Sequence, residues 1–305
     1  MKKVFVYILS VIVVVLLVDV IFGIATRYYL NHYKLPGDYR SIDYVVRDAN
    51  EDVMILGSSV ALNSLMPGII EDSLGVSCYN GAANGQQFPY YQTMIDYILK
   101  RYSPKIIILG ITPDVCSYPG VGERYNILMP YYKSGNLFLD SCMESSMPFA
   151  SLFYKSYLFR YNTIWWRILL YHFVSPDNSG EKGFVGKDVP MVLPELTETR
   201  LDEPMLKERE EQLKHVFMAC KKSGVRLLVY FPPLYTRITG SNRCAKSFKR
   251  LCVENQVPLI DNSQDSVFLV HPEWFHDNLH LNEKGAELYT KQFVKELKKC
   301  LYAYD

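Results

Sequence analysis

Val53-Met54-Ile55-Leu56-Gly57-Ser58-Ser59 runs four apolar residues straight into Gly-Ser-Ser. Such a run reads as a strand buried on both faces that stops abruptly and leaves a hydroxyl at its C-terminal edge. In open α/β sheets that edge is where ligands bind. Immediately downstream, Ala61 to Leu74 carries Pro67 at a helical first turn, Ile69, Ile70 and Leu74 at helical spacing, and a stop at Gly75.

This strand-then-helix unit recurs. Val76 to Asn80 is a short strand and Tyr90 to Arg101 a helix, while Lys105-Ile106-Ile107-Ile108-Leu109-Gly110-Ile111 is the strongest strand signal, ending at Thr112-Pro113-Asp114. Between the second strand and its helix, Gly81-Ala82-Ala83-Asn84-Gly85 is a loop whose small residues let backbone approach a ligand. Pro204 to Ser223 gathers Leu206, Leu213, Val216, Phe217 and Cys220 on one helical face, closed by Gly224. Arg226 to Phe231 is a strand stopped by Pro232-Pro233, Asn242 to Glu254 a helix, Val257 to Ile260 a strand and Glu283 to Leu301 a last helix. The alternation predicts a doubly wound, flavodoxin-like three-layer α/β/α domain over residues 51–301 with about five parallel strands.

The chain begins differently. Phe5 to Ala25 is apolar apart from Tyr7, Ser10, Asp19 and Gly23, and with Val4 it makes about 22 residues, long enough at roughly 1.5 Å each to cross a hydrocarbon core of roughly 30 Å. Residues 4–25 are therefore expected to span a membrane, with residues 1–25 forming a short cytoplasmic tip and a signal-anchor helix. Lys2 and Lys3 keep the tip cytoplasmic and put the rest outside, periplasmic or at the cell surface. Residues 26–50, with Pro36-Gly37, read as a juxtamembrane stalk. Residues 116–200 break the α/β rhythm with an insertion rich in Tyr and Phe, and Trp165-Trp166 lies in its mostly apolar stretch from Phe149 to Val174. That insertion is a helical subdomain with an aromatic core, a cover offering aromatic platforms to sugar rings, or an interfacial helix with Lys155, Arg160 and Arg167 at the headgroups.

Composition narrows the function. The net charge of +1, from 33 basic and 32 acidic residues, offers no surface for nucleic acid. The seven cysteines form no CxxC pair and no zinc-finger spacing, and they read as small buried hydrophobes. Neither a metal nor another cofactor is expected.

A serine hydroxyl is a weak nucleophile at neutral pH and needs an imidazole to take its proton, with a carboxylate fixing the imidazole's tautomer. The chain provides Phe275-His276-Asp277-Asn278-Leu279-His280-Leu281-Asn282 between the last strand and the last helix. Asp277 and His280 are close enough within one loop for the acid to hold the ring while the ring faces elsewhere, and Asn282 is placed to cap the following helix. Ser59 is then the candidate nucleophile, with Asp277 and His280 as its base assembly. Ser58 as nucleophile, or Ser59 as a helix cap alone, are the rival readings. His276 and His280 also have metal-helix His-x-x-x-His spacing, but Asp277 stands where the usual Glu would, and Pro272 and Asn282 mark a loop.

In these residues the chain resembles the SGNH or GDSL hydrolase superfamily. Gly57-Ser58-Ser59 resembles its first block, Asn80-Gly81-Ala82-Ala83-Asn84-Gly85 its second, and Asp277-Asn278-Leu279-His280 followed by Leu-Asn-x-x-Gly its fifth. The resemblance implies Ser59, His280 and Asp277 as a catalytic triad, with an oxyanion hole formed by the backbone of Ser59 and Gly85. The third block's Asn is replaced in Gly110-Ile111-Thr112-Pro113-Asp114, which leaves Thr112 as the available side-chain donor. Gly-Ser-Ser, Pro67, the anchor and the fifth block are most similar to the membrane-anchored branch of D-alanyl transfer and alginate O-acetylation. That branch implies an extracytoplasmic esterase or acyltransferase acting on an acyl ester, such as the O-acyl group of a glycan, with a membrane acyl-transfer protein as partner. A non-catalytic scaffold of an envelope polysaccharide modification complex is the alternative.

Overall fold

Apolar runs with no polar face must be covered on both sides, and in the structure, a computed structural model, they are. It describes residues 2–33, 38–117, 125–173, 181–191 and 195–302; Pro36, Gly37 and Val174 lie outside these. The described strands are β1 (Val53–Gly57), β2 (Cys78–Asn80), β3 (Ile106–Gly110), β4 (Thr197–Arg200), β5 (Arg226–Phe231), β6 (Thr236–Thr239) and β7 (Leu259–Asp261). The helices are α1 (Lys2–His32), α2 (Asp38–Arg47), α3 (Ser59–Leu62), α4 (Pro67–Leu74), α5 (Phe88–Arg101), α6 (Leu137–Ser145), α7 (Ala150–Phe153), α8 (Tyr157–Phe173), α9 (Lys207–Lys222), α10 (Arg243–Glu254), α11 (Ser266–Leu269) and α12 (Glu283–Tyr302). They fall into two units, Met1–Arg40 with Arg124–Asp177 and Ser41–Glu123 with Asn178–Asp305.

The second unit is the α/β domain. Its five-stranded sheet runs β2-β1-β3-β5-β7, every pair parallel, with β1 and β3 buried along their whole length. Gly57 pairs with Gly110, and Gly110 with Tyr230, so β1, β3 and β5 reach the same edge together. Tyr230, Tyr289, Phe268, Phe275 and Phe293 fill the core on one face. Arg101 of α5 donates to the carbonyls of Val45, Arg47 and Ala49, which holds α2 against this unit.

Two departures from the sequence reading have plain causes. Pro67 opens α4 as its sequence position implies, but the residues before it do not join that helix: they form the short α3, and Asn63 donates its side chain to the Val185 carbonyl in the gap. A second, two-stranded parallel sheet joins β4 to β6. Its Thr-Glu-Thr-Arg and Thr-Arg-Ile-Thr sequences carry no apolar alternation; they pair through backbone and through Thr197, Thr199 and Thr236 hydroxyls.

The first unit is built on α1. Among the described residues α1 is the one helix long and apolar enough to cross a membrane, and it continues to His32, beyond the apolar run. α8 packs along its C-terminal half: a Cβ at Gly23 would overlap the Tyr157 ring, and Trp165 contacts Phe22, Thr26 and Tyr29.

Candidate active site

The site forms where β1 stops. Gly57 has φ 149° and a Cβ there would stand 2.1 Å from the Gly110 carbonyl oxygen, so only glycine lets the two strands lie this close as the chain leaves the sheet. Ser58 is the extended cap residue of α3 and Ser59 its first helical residue. Ser59 is therefore not the cap, and as the first residue of the helix its N–H has no partner within α3. The Ser58 hydroxyl turns away to the buried phenol of Tyr91, which burial pushes up and this bond draws partly back.

Opposite Ser59 the fifth block forms a tight reversal. Phe275 bridges Leu281 antiparallel, and the His276 N–H donates to the His280 carbonyl at 2.8 Å. Asn282 accepts from the Gly285 N–H at 2.9 Å, capping α12 as its sequence position implies, and donates to the Glu273 carbonyl. A Cβ at Gly285 would lie 2.0 Å from the Trp274 carbonyl oxygen, which is why the Asn is followed by a glycine three positions on.

Within that reversal the Asp277 carboxylate accepts from the backbone N–H groups of Leu279 (2.8 Å) and His280 (2.9 Å) and from His280 Nδ1 at 2.8 Å to both oxygens. His280 Nε2 lies 2.7 Å from Ser59 Oγ. Burial would raise the Asp277 carboxyl, but the His280 ring and the two backbone N–H donors outweigh it and hold it at about 2. An ionised carboxylate only accepts, so Nδ1 carries the proton and Nε2 is left to accept from the serine. His280 is largely buried, at 19% exposed. His276 faces elsewhere, with Nδ1 2.8 Å from the Val189 carbonyl and no helix beneath it, so His276 and His280 are not presented from one helix face as the metal-helix spacing would require. Among the described residues no group of three His, Cys, Asp or Glu stands together as metal ligands.

The two remaining candidates reach the same sheet edge by register. Thr112 follows Gly110 by two residues, as Ser59 follows its pairing partner Gly57. Gly85 sits exposed at a turn with φ 66° in the loop after β2. That loop is held to the end of β1 by the Ala83 N–H on the Gly57 carbonyl at 3.1 Å.

The structure gives Asn80, quoted in the second block, a clamping role that the sequence does not state, and adds Tyr90 and Tyr91 as supports. Buried Asn80 donates to the carbonyls of Ala61 and Leu65 and accepts from Ala82, clamping α3 to the Gly85 loop. Tyr90 and Tyr91 reach from α5 to the Gly81 and Gln86 carbonyls, both at 2.7 Å. An Asn ending a strand before small residues was the available signal for the first; the tyrosines read as ordinary core.

No family model matches the chain, and no curated protein matches it in sequence. Among solved structures it is similar to a lipase/acylhydrolase from Enterococcus faecalis, at 10% identity over 81% of this chain and 95% of that one, TM-score 0.41. It is also similar to a lipolytic protein of the G-D-S-L family from Desulfitobacterium hafniense, at 9% identity over 80% and 97%, TM-score 0.40. A third is a Bacillus subtilis protein at 13% identity over 82% and 57%, TM-score 0.43. At such identities the reading of the site stands on its own geometry.

Proposed function

We propose that this chain is a membrane-anchored serine esterase or acyltransferase, with Ser59 as nucleophile, His280 as general base and acid, and Asp277 orienting the imidazole. The observation that carries the reading is the unbroken line from the Asp277 carboxylate through His280 to Ser59 Oγ at 2.7 Å. Ser59 Oγ attacks the acyl carbonyl as its proton passes to Nε2. The oxyanion is met by the N–H groups of Ser59 and Gly85 and by the Thr112 hydroxyl. Collapse expels the alcohol, which takes the proton from His280 and leaves the acyl group on Ser59. Water or a second hydroxyl then attacks that ester, and the choice separates hydrolase from transferase.

The apolar run of α1 and the two lysines before that run support an anchor with the α/β domain outside the cytoplasm. In that compartment the acyl-ester substrate that fits the resemblance is the O-acyl group of a cell-surface glycan, with a membrane acyl-transfer protein as partner. The test is labelling of the folded full-length chain by a fluorophosphonate, with hydrolysis of a short-chain activated ester. Ser59→Ala should lose both, and labelling that persists in that variant would exclude Ser59. A folded chain that never labels would instead support a non-catalytic scaffold, for which Thr112 in the third-block Asn position is the supporting observation.

A further inference from the structure

Asp19 lies inside the apolar run of α1, six residues before Ala25, which places it about 9 Å below the run's end at 1.5 Å per residue. A carboxylate at that depth in hydrocarbon is costly unless it is paired. It accepts from the Ser156 hydroxyl at 2.6 Å and from the N–H groups of Tyr157 (3.0 Å) and Leu158 (2.8 Å). Those N–H groups open α8 and have no partner within their own helix. In water they would be solvated; in lipid they must be satisfied by protein. The acid and the helix start satisfy each other, and both sit beside the part of α1 that is apolar.

The direction of α8 follows from its contacts. Its start meets Asp19 and Gly23, and Trp165 meets Phe22, Thr26 and Tyr29, so α8 rises alongside α1 toward the end of the apolar run. The surface that α7 and α8 present is apolar: Phe149, just before α7, is 77% exposed, Leu152 65%, Phe153 45% and, on α8, Trp166 71%, with Leu169 and Leu170 half exposed. Phe149, Leu152 and Phe153 belong to the turn just before Asp19's partners, and Trp166 stands near the level where interfacial tryptophans gather. Lys155, exposed at the lower level, has a four-carbon stem that carries its charge toward the headgroups.

We propose that α7 and α8 form a foot that enters the leaflet at the C-terminal end of α1, its apolar side chains occupied by lipid acyl chains and Asp19 locking it to the anchor. This rests on the anchor reading of α1 made above. The test uses the full chain in phosphatidylcholine vesicles. Retention after an alkaline carbonate wash reports the anchor alone. In a Trp274→Phe background, emission from Trp165 and Trp166 should fall about twofold or more with lipids brominated high on the acyl chain, and less with bromines near the chain ends. A benzophenone amino acid at position 153 should crosslink to lipid. A retained chain whose tryptophans are quenched by aqueous iodide but not by bromolipid, with no lipid adduct at 153, overturns the foot and leaves the anchor standing. A crosslink from 153 to a second copy of the chain overturns it as well, in favour of an interface between copies. Extraction by carbonate removes the anchor and the foot together.

Discussion

Asp277 and Asp19 are held by nearly the same set of donors: two consecutive backbone N–H groups at a chain reversal or helix start, and one side chain. The third donor separates them. At Asp277 it is an imidazole, whose second nitrogen passes the interaction on to Ser59. At Asp19 it is the Ser156 hydroxyl, whose oxygen accepts from the Phe159 N–H at 3.2 Å and closes the cluster. A carboxylate that satisfies backbone donors fastens two segments; it becomes part of a proton path only when its partner has a second, outward-facing site.

Removing the charge at each acid in turn tests that contrast. Asp277→Asn should lower kcat for ester hydrolysis by about 10⁴-fold, because an amide donates to Nδ1 and favours the wrong tautomer, while the thermal unfolding midpoint at neutral pH moves little. A loss of activity matched by a loss of folded protein would make Asp277 a fastener like Asp19. Thr112→Val should cost about 10²-fold in kcat with KM unchanged if its hydroxyl meets the oxyanion; unaltered kcat would leave the hole to backbone donors. Asp19→Asn should leave kcat unchanged but speed proteolytic cutting between residues 149 and 156 about tenfold, the opening expected from losing about 1.4 kcal/mol of charge at a helix N-terminus.

The smallest effect is in pH. With its folded value held at about 2, below the ordinary carboxylate value of about 3.9, Asp277 contributes stability that is complete above pH 4 and lost as pH falls toward 2. The wild-type unfolding midpoint should therefore decline more steeply between pH 4 and pH 2 than that of Asp277→Asn. Parallel declines would mean the carboxylate is not held by these donors in solution. Half of the Asp277 side chain is exposed, so solvent screening keeps this difference small.

Much of the α/β domain was legible because its strands are continuous apolar runs, which nothing but a sheet covered on both faces accommodates. β1 and β5 begin and end where the residues place them, at Val53–Gly57 and Arg226–Phe231. Pro67 marked the start of α4 in the sequence, whereas the short α3 before it was not legible, since four residues make no helical period. β4 and β6 were not legible at all: threonine and charged residues make no period, and the pairing is decided by what lies across from them.

Local chemistry alone set the candidate site's residue types. Ser59 after an abrupt strand end, and Asp277 and His280 three apart before a capped helix, are chosen by what a hydroxyl, an imidazole and a carboxylate need from one another. Sequence also determined the apolar length of α1, since hydropathy over consecutive residues needs no partner. Only the tertiary structure decided that Ser58 turns to Tyr91 and Ser59 to His280, because that choice is made by side chains 33 and 221 positions away. It alone gave Asp19 its partners at Ser156, Tyr157 and Leu158, more than 130 positions along the chain. Spacing along a chain carries information about neighbours on one element, and none about which distant element will be folded against it.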